Sequence, residues 1–306
     1  MGRIRSGAFA LWLASALLTT LPGFAQAGFA ADPAPGAEPL DRILAAVGKD
    51  ASRFWSTASD YVGRETWRQK TIVIPSQRIR LQLSQDSPKP PEPREVIRET
   101  VSLYALGAFH KSPESLWEFR RVLSVDGKES GDPVAAREEF LDGMRGKDDK
   151  WKRKLRERFE KQGAAGWVVD FGQVLLLFTA PRQQRYTFEI AGRERIGASN
   201  ALRVKFEQQL GTQAMRVHDS GEEAVVPLRG EILVREPDYS VLAVRLHATH
   251  TLEGHKVRDE TSVDYAANSA GVLLPASVVH KRFVDDKGDT EDLFRYTDWQ
   301  NIRESR

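Results

Sequence analysis

The sequence predicts an α+β protein: one large, curved antiparallel sheet, a half-barrel-like meander, covered by helices. Three observations predict it. The C-terminal half is a succession of segments with two-residue hydrophobic alternation, separated by turn residues at short spacing. Helical periodicity is grouped earlier, from Leu40 to about Ser59 and from about Pro133 to Lys161. Cysteine is absent, so packing rather than disulfides must hold the fold, and thiolate metal sites and cysteine nucleophiles are excluded.

Taken in order, residues 1–27 read as a cleavable secretory leader. Arg3 and Arg5 precede the apolar run Ala8 to Leu18, and Ala25, Gln26 and Ala27 follow as a small-residue cleavage site. That run is short of the ~20 residues a membrane-spanning helix needs. An exported, periplasmic or extracellular protein is therefore expected, soluble after cleavage. Removing the leader takes two of the 45 basic residues and no acidic one, leaving 43 against 43. A neutral mature chain gives no warrant for a nucleic-acid partner.

The Ala, Pro and Gly stretch 28–39 reads as a flexible segment, and 40–306 as a single α+β domain. Its first element is an amphipathic helix carrying Leu40, Ile43, Leu44, Val47, Phe54 and Trp55. Strands are expected from Tyr61 to Ile74 and from Arg78 to Leu83, then a proline-rich linker from Gln85 to Arg94. Further strands run from Glu95 to Phe109 and from Leu116 to Val125, where Asp126 and Gly127 suit a tight hairpin turn. The helical insertion at about 133–161 carries Phe140, Leu141, Met144, Trp151, Leu155 and Phe159. The apolar run Val168 to Phe178 fits either a buried helical turn or a strand. Beyond it lie Gln184 to Ile190, Ala201 to Gln208, Val225 to Arg235, Val241 to His250, Lys256 to Tyr265, Val272 to Val284 and Thr290 to Trp299. Short turns between the later segments favour sequential antiparallel pairing.

Chemistry-bearing motifs are few. His247, His250 and His255 lie close in sequence, but strand residues three apart point to opposite faces, so His247 and His250 do not share an ion, and surface histidines on a hairpin are expected. The adjacent pairs Glu138 and Glu139, Asp285 and Asp286, and Glu291 and Asp292 read as solvated charge. No phosphate loop, dinucleotide fingerprint or zinc-protease helix is present, and Gly197 to Ala201 lacks the second glycine of a nucleophile elbow. No metal or cofactor is expected. The segment from Lys150 to Lys161 sets Lys150, Lys152, Arg153, Lys154, Arg156, Arg158 and Lys161 around an apolar stripe of Trp151, Leu155 and Phe159. Such a helix is either a lid packed on the sheet, with its charges in water, or a peripheral contact with an anionic membrane surface or an acidic partner. Trp117, Phe119, Leu274, Val278, Phe283 and Phe294 are the candidate apolar lining of the sheet's concavity, with an ordinary filled core as the competing reading.

The layout resembles the periplasmic lipoprotein-carrier superfamily of LolA, LolB and RseB. Gly230–Glu231–Ile232–Leu233–Val234, followed after a turn by Val241 to Leu246, carries the resemblance best. Trp117 to Lys128 and Leu175 to Pro181 are also similar to a group of uncharacterised secreted bacterial proteins. The carrier resemblance implies an unclosed β-barrel with a helical lid over an apolar cavity that accepts acyl chains. This chain departs from it in its greater length and its charged mid-chain helix. The expected function is non-enzymatic binding of an apolar or amphipathic envelope ligand, a lipid, lipoprotein or acylated peptide. Two alternatives stay open: an envelope interaction or sensor protein of the same fold without lipid cargo, and a hydrolase with an unassigned site.

Overall fold

The computed structural model describes residues 39–73, 92–162, 171–209, 215–219, 222–252 and 254–303. The expected leader, the 28–39 segment up to Glu38, the strand over Arg78–Leu83 and most of the proline-rich linker lie outside these residues. Helix α1 (Pro39–Thr57) continues through a short 3-10 turn into β1 (Tyr61–Val73). Strands β2 (Arg94–Phe109), β3 (Ser112–Val125) and β4 (Lys128–Glu129) follow. Helices α2 (Pro133–Arg145) and α3 (Asp149–Gln162) come next, then a 3-10 helix at Val174–Phe178 and the one-turn α4 (Ala180–Gln183). The rest is strand: β5 (Tyr186–Ile196), β6 (Ser199–Gln208), β7 (Met215–Asp219), β8 (Glu222–Val226), β9 (Arg229–Arg235), β10 (Val241–Leu252), β11 (His255–Ala267), β12 (Leu273–Val284) and β13 (Lys287–Asn301).

Among the described residues, eleven strands form one curved antiparallel sheet in the order β4-β3-β2-β1-β13-β12-β11-β10-β9-β6-β5. Most neighbours are sequential hairpins, as the turn chemistry predicts. Asp126 and Gly127 take φ of 49° and 74°, and Asp285 and Asp286 take 49° and 60°, the paired positive values of a tight two-residue hairpin. Sequential pairing fails at two places. The first and last described strands, β1 and β13, pair with each other in the interior of the sheet, and β6 pairs with β9 because β7 and β8 form a separate ribbon.

The inner face is the one that α1 covers. Ile43, Val47, Ala51 and Phe54 recur at helical spacing and are fully buried there, with Val174 to Phe178 lying beside them. The apolar run left open between helical turn and strand is thus a buried 3-10 helix over its described part. Each large side chain so placed contributes about 1.5–3 kcal/mol of apolar transfer. Where α1 and this turn lie, the sheet's inner face is filled core.

The helical insertion is two helices rather than one. Asp132 caps α2 by accepting a 3.0 Å bond from the Val134 N–H with Pro133 in the first turn, and Gly146 ends it. Asp148 then accepts from the Lys150 N–H at 2.8 Å and starts α3. Phe140, Leu141, Met144 and Leu155 pack with Val62, Leu103, Ala105 and Phe119 on the outer face. Phe159 belongs instead to the inner cluster, so α3 wraps the β3 edge, which β4 pairs over only two residues.

Candidate ligand-binding face

Cross-strand register sorts the inner face into two adjacent rows. One is apolar: Trp67 stands opposite Phe294, Phe294 opposite Val278, Val278 opposite Val263, and Val263 opposite Val244. Two residues along each strand the row turns polar: Gln69 opposite Asp292, Asp292 opposite His280, and His280 opposite Thr261. Because strand side chains alternate with period two, both rows face the same side. The indole of Trp67 stacks on Phe294 at 5.3 Å, Phe159 lies 6.3 Å from Trp67, and Phe171 closes on both Phe294 (6.3 Å) and His280 (5.1 Å). An aromatic box therefore sits against a row of buried charge.

Within the polar row Asp292 is only 3% exposed and is fully engaged. Its Oδ1 accepts from Trp67 Nε1 at 2.9 Å and Gln69 Nε2 at 3.0 Å, and its Oδ2 lies 3.1 Å from His280 Nδ1. The other ring nitrogen, His280 Nε2, lies 3.3 Å from Asp259 Oδ1, and Asp259 Oδ2 lies 3.9 Å from His250 Nδ1. Arg282 stands opposite Asp259 on the same face and is buried. Burial by itself depresses the His280 pKa, but the hydrogen bonds and charges of Asp259 and Asp292 outweigh it and push the value up to about 9. The imidazolium is the form this pocket holds at neutral pH.

A second buried ionic cluster flanks the apolar row on the other side. Arg120 Nε donates to Glu65 at 2.8 and 3.0 Å and its Nη2 donates to Glu118, while Glu118 also accepts the Gly172 N–H at 2.6 Å. The Arg120 guanidinium lies 5.2 Å from the rings of both Tyr104 and Phe159. Desolvation alone would lower the Arg120 pKa, yet Glu65 and Glu118 raise it well above its ordinary value. Tyr104 is raised by burial, then by the nearby carboxylates.

The predicted lining is divided between the faces. Leu274, Val278 and Phe294 lie in the inner cluster. Phe119 is fully buried on the outer face beneath α2, and Trp117 packs there against Phe109 with Arg156 at 4.4 Å from its ring. Phe283 is half-buried on the outer side of β12, with the Arg258 guanidinium 4.0 Å from its ring. In α3 the stripe of Trp151, Leu155 and Phe159 faces protein, and Lys150, Lys154 and Arg158 face solvent. His247 is exposed and His250 buried, as their spacing requires, so His250 is not the surface histidine expected from sequence. Asp292 likewise departs from the solvated reading of its pair, since strand alternation puts Glu291 outward and Asp292 inward.

Sequence reasoning missed Glu65, Trp67, Gln69, Arg120, Asp259, Phe171 and His280. Their signal is phase: Asp259 and Thr261 occupy the same alternate positions as Val257 and Val263, and His280 the same as Val278. A charged residue in phase with core valines is buried. As held here, His280 has a carboxylate on each ring nitrogen, which leaves neither to activate a nucleophile. Among the described residues no group of histidine, aspartate and glutamate side chains is arranged to hold a metal ion, and no helix is long and apolar enough to cross a membrane.

An open groove of about 690 Å³ also lies on the outer face across β5, β6, β9, β10 and β11, lined by residues that include Lys205, Arg229, Glu231, His247 and Arg258. Charges of both signs alternate there and pair with one another, as Glu231 does with Arg203 and Arg245 at 3.5 Å.

No protein-family model and no curated protein matches the chain. Among solved structures it is similar to a DUF1329 family protein from Desulfovibrio piger, at 9% identity over 87% of this chain and 94% of that one, with a TM-score of 0.35. It is also similar to a putative outer membrane lipoprotein-sorting protein domain from Vibrio parahaemolyticus, at 8% identity over 84% and 91% of the two chains, with a TM-score of 0.27. At this depth of similarity nothing about the site is carried across.

Proposed function

We propose that this chain is a non-enzymatic envelope protein that binds an amphipathic ligand, a lipid or an acylated peptide, on the inner face of its sheet. The observation that carries the reading is the boundary between the two rows, where Trp67, Phe294 and Val278 adjoin Gln69, Asp292 and His280. An acyl chain lying along the apolar row takes the place of the Phe171 ring and gains about 0.8 kcal/mol for each methylene buried beyond what that ring already buries. The ligand's polar end then meets the charged row. Of the lining expected from sequence, Leu274, Val278 and Phe294 remain in this proposal, while Trp117, Phe119 and Phe283 serve the outer face.

Energetics support a binding role for the polar row. Each buried ion costs several kcal/mol of desolvation, and a buried ion pair is commonly no better for stability than apolar side chains of the same volume. A fold that needed only a core had no reason to seat Asp259, His280, Asp292 and Arg282 beside valines. The test is native mass spectrometry, with lipid extraction, of protein purified from its own envelope. A co-purifying lipid or acylated peptide is expected; protein that emerges empty from lipid-rich membranes overturns the reading.

A further inference from the structure

The solvent face of α3 is left unused by the ligand proposal. At 100° per residue, Lys150, Lys154 and Lys161 fall within about 40° of one another around the helix axis, with Arg153 and Arg158 on either flank. All five are exposed, and Glu157 is the one acid among the described side chains of that face. Arg158 lies 3.7 Å from Glu139; Lys150, Arg153, Lys154 and Lys161 have no ion pair among the described residues. The helix's two remaining cations are turned inward, Lys152 donating to the Ala108 carbonyl at 2.8 Å and Arg156 lying against Trp117.

We propose that this face of α3 is a peripheral docking surface for an anionic lipid membrane, and that it binds by charge alone. Trp151, Leu155 and Phe159 are committed to Gly143, Phe119 and Trp67, so no apolar stripe is left to insert. That distinguishes α3 from an interfacial amphipathic helix, whose apolar face enters the lipid. A protein partner fits less well. Stable protein interfaces centre on well-packed aromatic or arginine anchors in desolvated pockets, whereas this face is a row of solvated lysines with an arginine on either flank and no exposed aromatic. A fluid surface of lipid phosphates can rearrange to meet such heads. The inference does not depend on what occupies the inner face, but it places the β3 edge, which α3 wraps, next to the bilayer.

The experiment uses the chain from Gly28 onward, which contains every described residue, with vesicles of phosphatidylglycerol and phosphatidylcholine or of phosphatidylcholine alone. Cosedimentation is expected only with the anionic vesicles, falling as salt is raised. Each cation near such a surface is worth about 1 kcal/mol, roughly a fivefold change in partitioning. The variant Lys150→Gln, Arg153→Gln, Lys154→Gln, Lys161→Gln should therefore lose roughly several hundredfold if all four heads reach the lipid, and at least about twentyfold if two do. A control with the same charge change elsewhere, Lys49→Gln, Arg64→Gln, Lys205→Gln, Lys287→Gln, should lose less than about threefold, because the contribution of a cation falls off within a Debye length of the lipid surface. Equal loss in the two variants, equal binding to both vesicle types, or no binding to either overturns the proposal. So does capture by an acidic protein with no vesicle binding. Thermal melts of both variants check that the fold is intact.

Discussion

If His280 is an imidazolium held between Asp259 and Asp292, stability must fall as the pH rises through its titration. The folded value of about 9 stands above the ordinary 6.5. A group whose folded pKa is raised contributes its full stabilisation below the unfolded value and loses it as pH climbs to the folded one. The window is therefore from about pH 6.5 to pH 9. A shift of that size at ~1.4 kcal/mol per pH unit is worth about 3 kcal/mol. The assay is urea unfolding at half-unit steps from pH 6 to 9.5, for the native chain and for His280→Gln. The native protein should lose about 3 kcal/mol more than the variant across this range. Stopping at pH 9.5 leaves out the tyrosines, and taking the difference between the two proteins removes groups common to both. Parallel curves would refute the charged, doubly paired His280, and with it the ionic row proposed to meet a ligand's polar end.

Three further outcomes follow from the packing. Phe294→Ala, which opens the aromatic box on the inner face, should cost about 3–5 kcal/mol in urea unfolding, and Phe283→Ala, half-buried on the outer face, about 1 kcal/mol; equal costs would mean that the two faces are wrongly assigned. Arg120→Ala leaves Glu65 and Glu118 buried without their cation and should cost about 3–5 kcal/mol in urea unfolding at pH 7; an unchanged midpoint would show that the cluster is not buried charge. Gly143→Ala places a methyl group inside the Trp151 ring position and should cost about 1–3 kcal/mol by overpacking, with a shift of tryptophan fluorescence as α2 and α3 separate. An unchanged denaturation midpoint would show that the helices already have room.

Much of the architecture was legible in the sequence because local periodicity reports local geometry. Alternation at period two marked the strand read from Glu95 to Phe109, observed as Arg94–Phe109, and those of the C-terminal half, and the three- and four-residue steps of Ile43, Val47 and Phe54 marked α1. The faces of the histidine hairpin followed from spacing too. Phase could have separated Val278 from Phe283, which lie an odd number of residues apart, and would have set Asp292 inward, had alternation been applied to charged as well as apolar positions.

What the sequence determined by itself, then, is the inventory: an α+β chain of many strands and few helices, without cysteine, and near neutrality once the expected leader is removed. Tertiary structure decided the adjacency. Trp67 and Asp292 are 225 residues apart and meet only because β1 and β13 pair in the interior of the sheet. No local pattern encodes that pairing, since any alternating strand offers the same ladder of backbone donors and acceptors to any other. The inner cluster of Gln69, Asp292, His280 and Asp259 exists through such pairings alone: its members come from four strands, and each by itself reads as an ordinary polar residue.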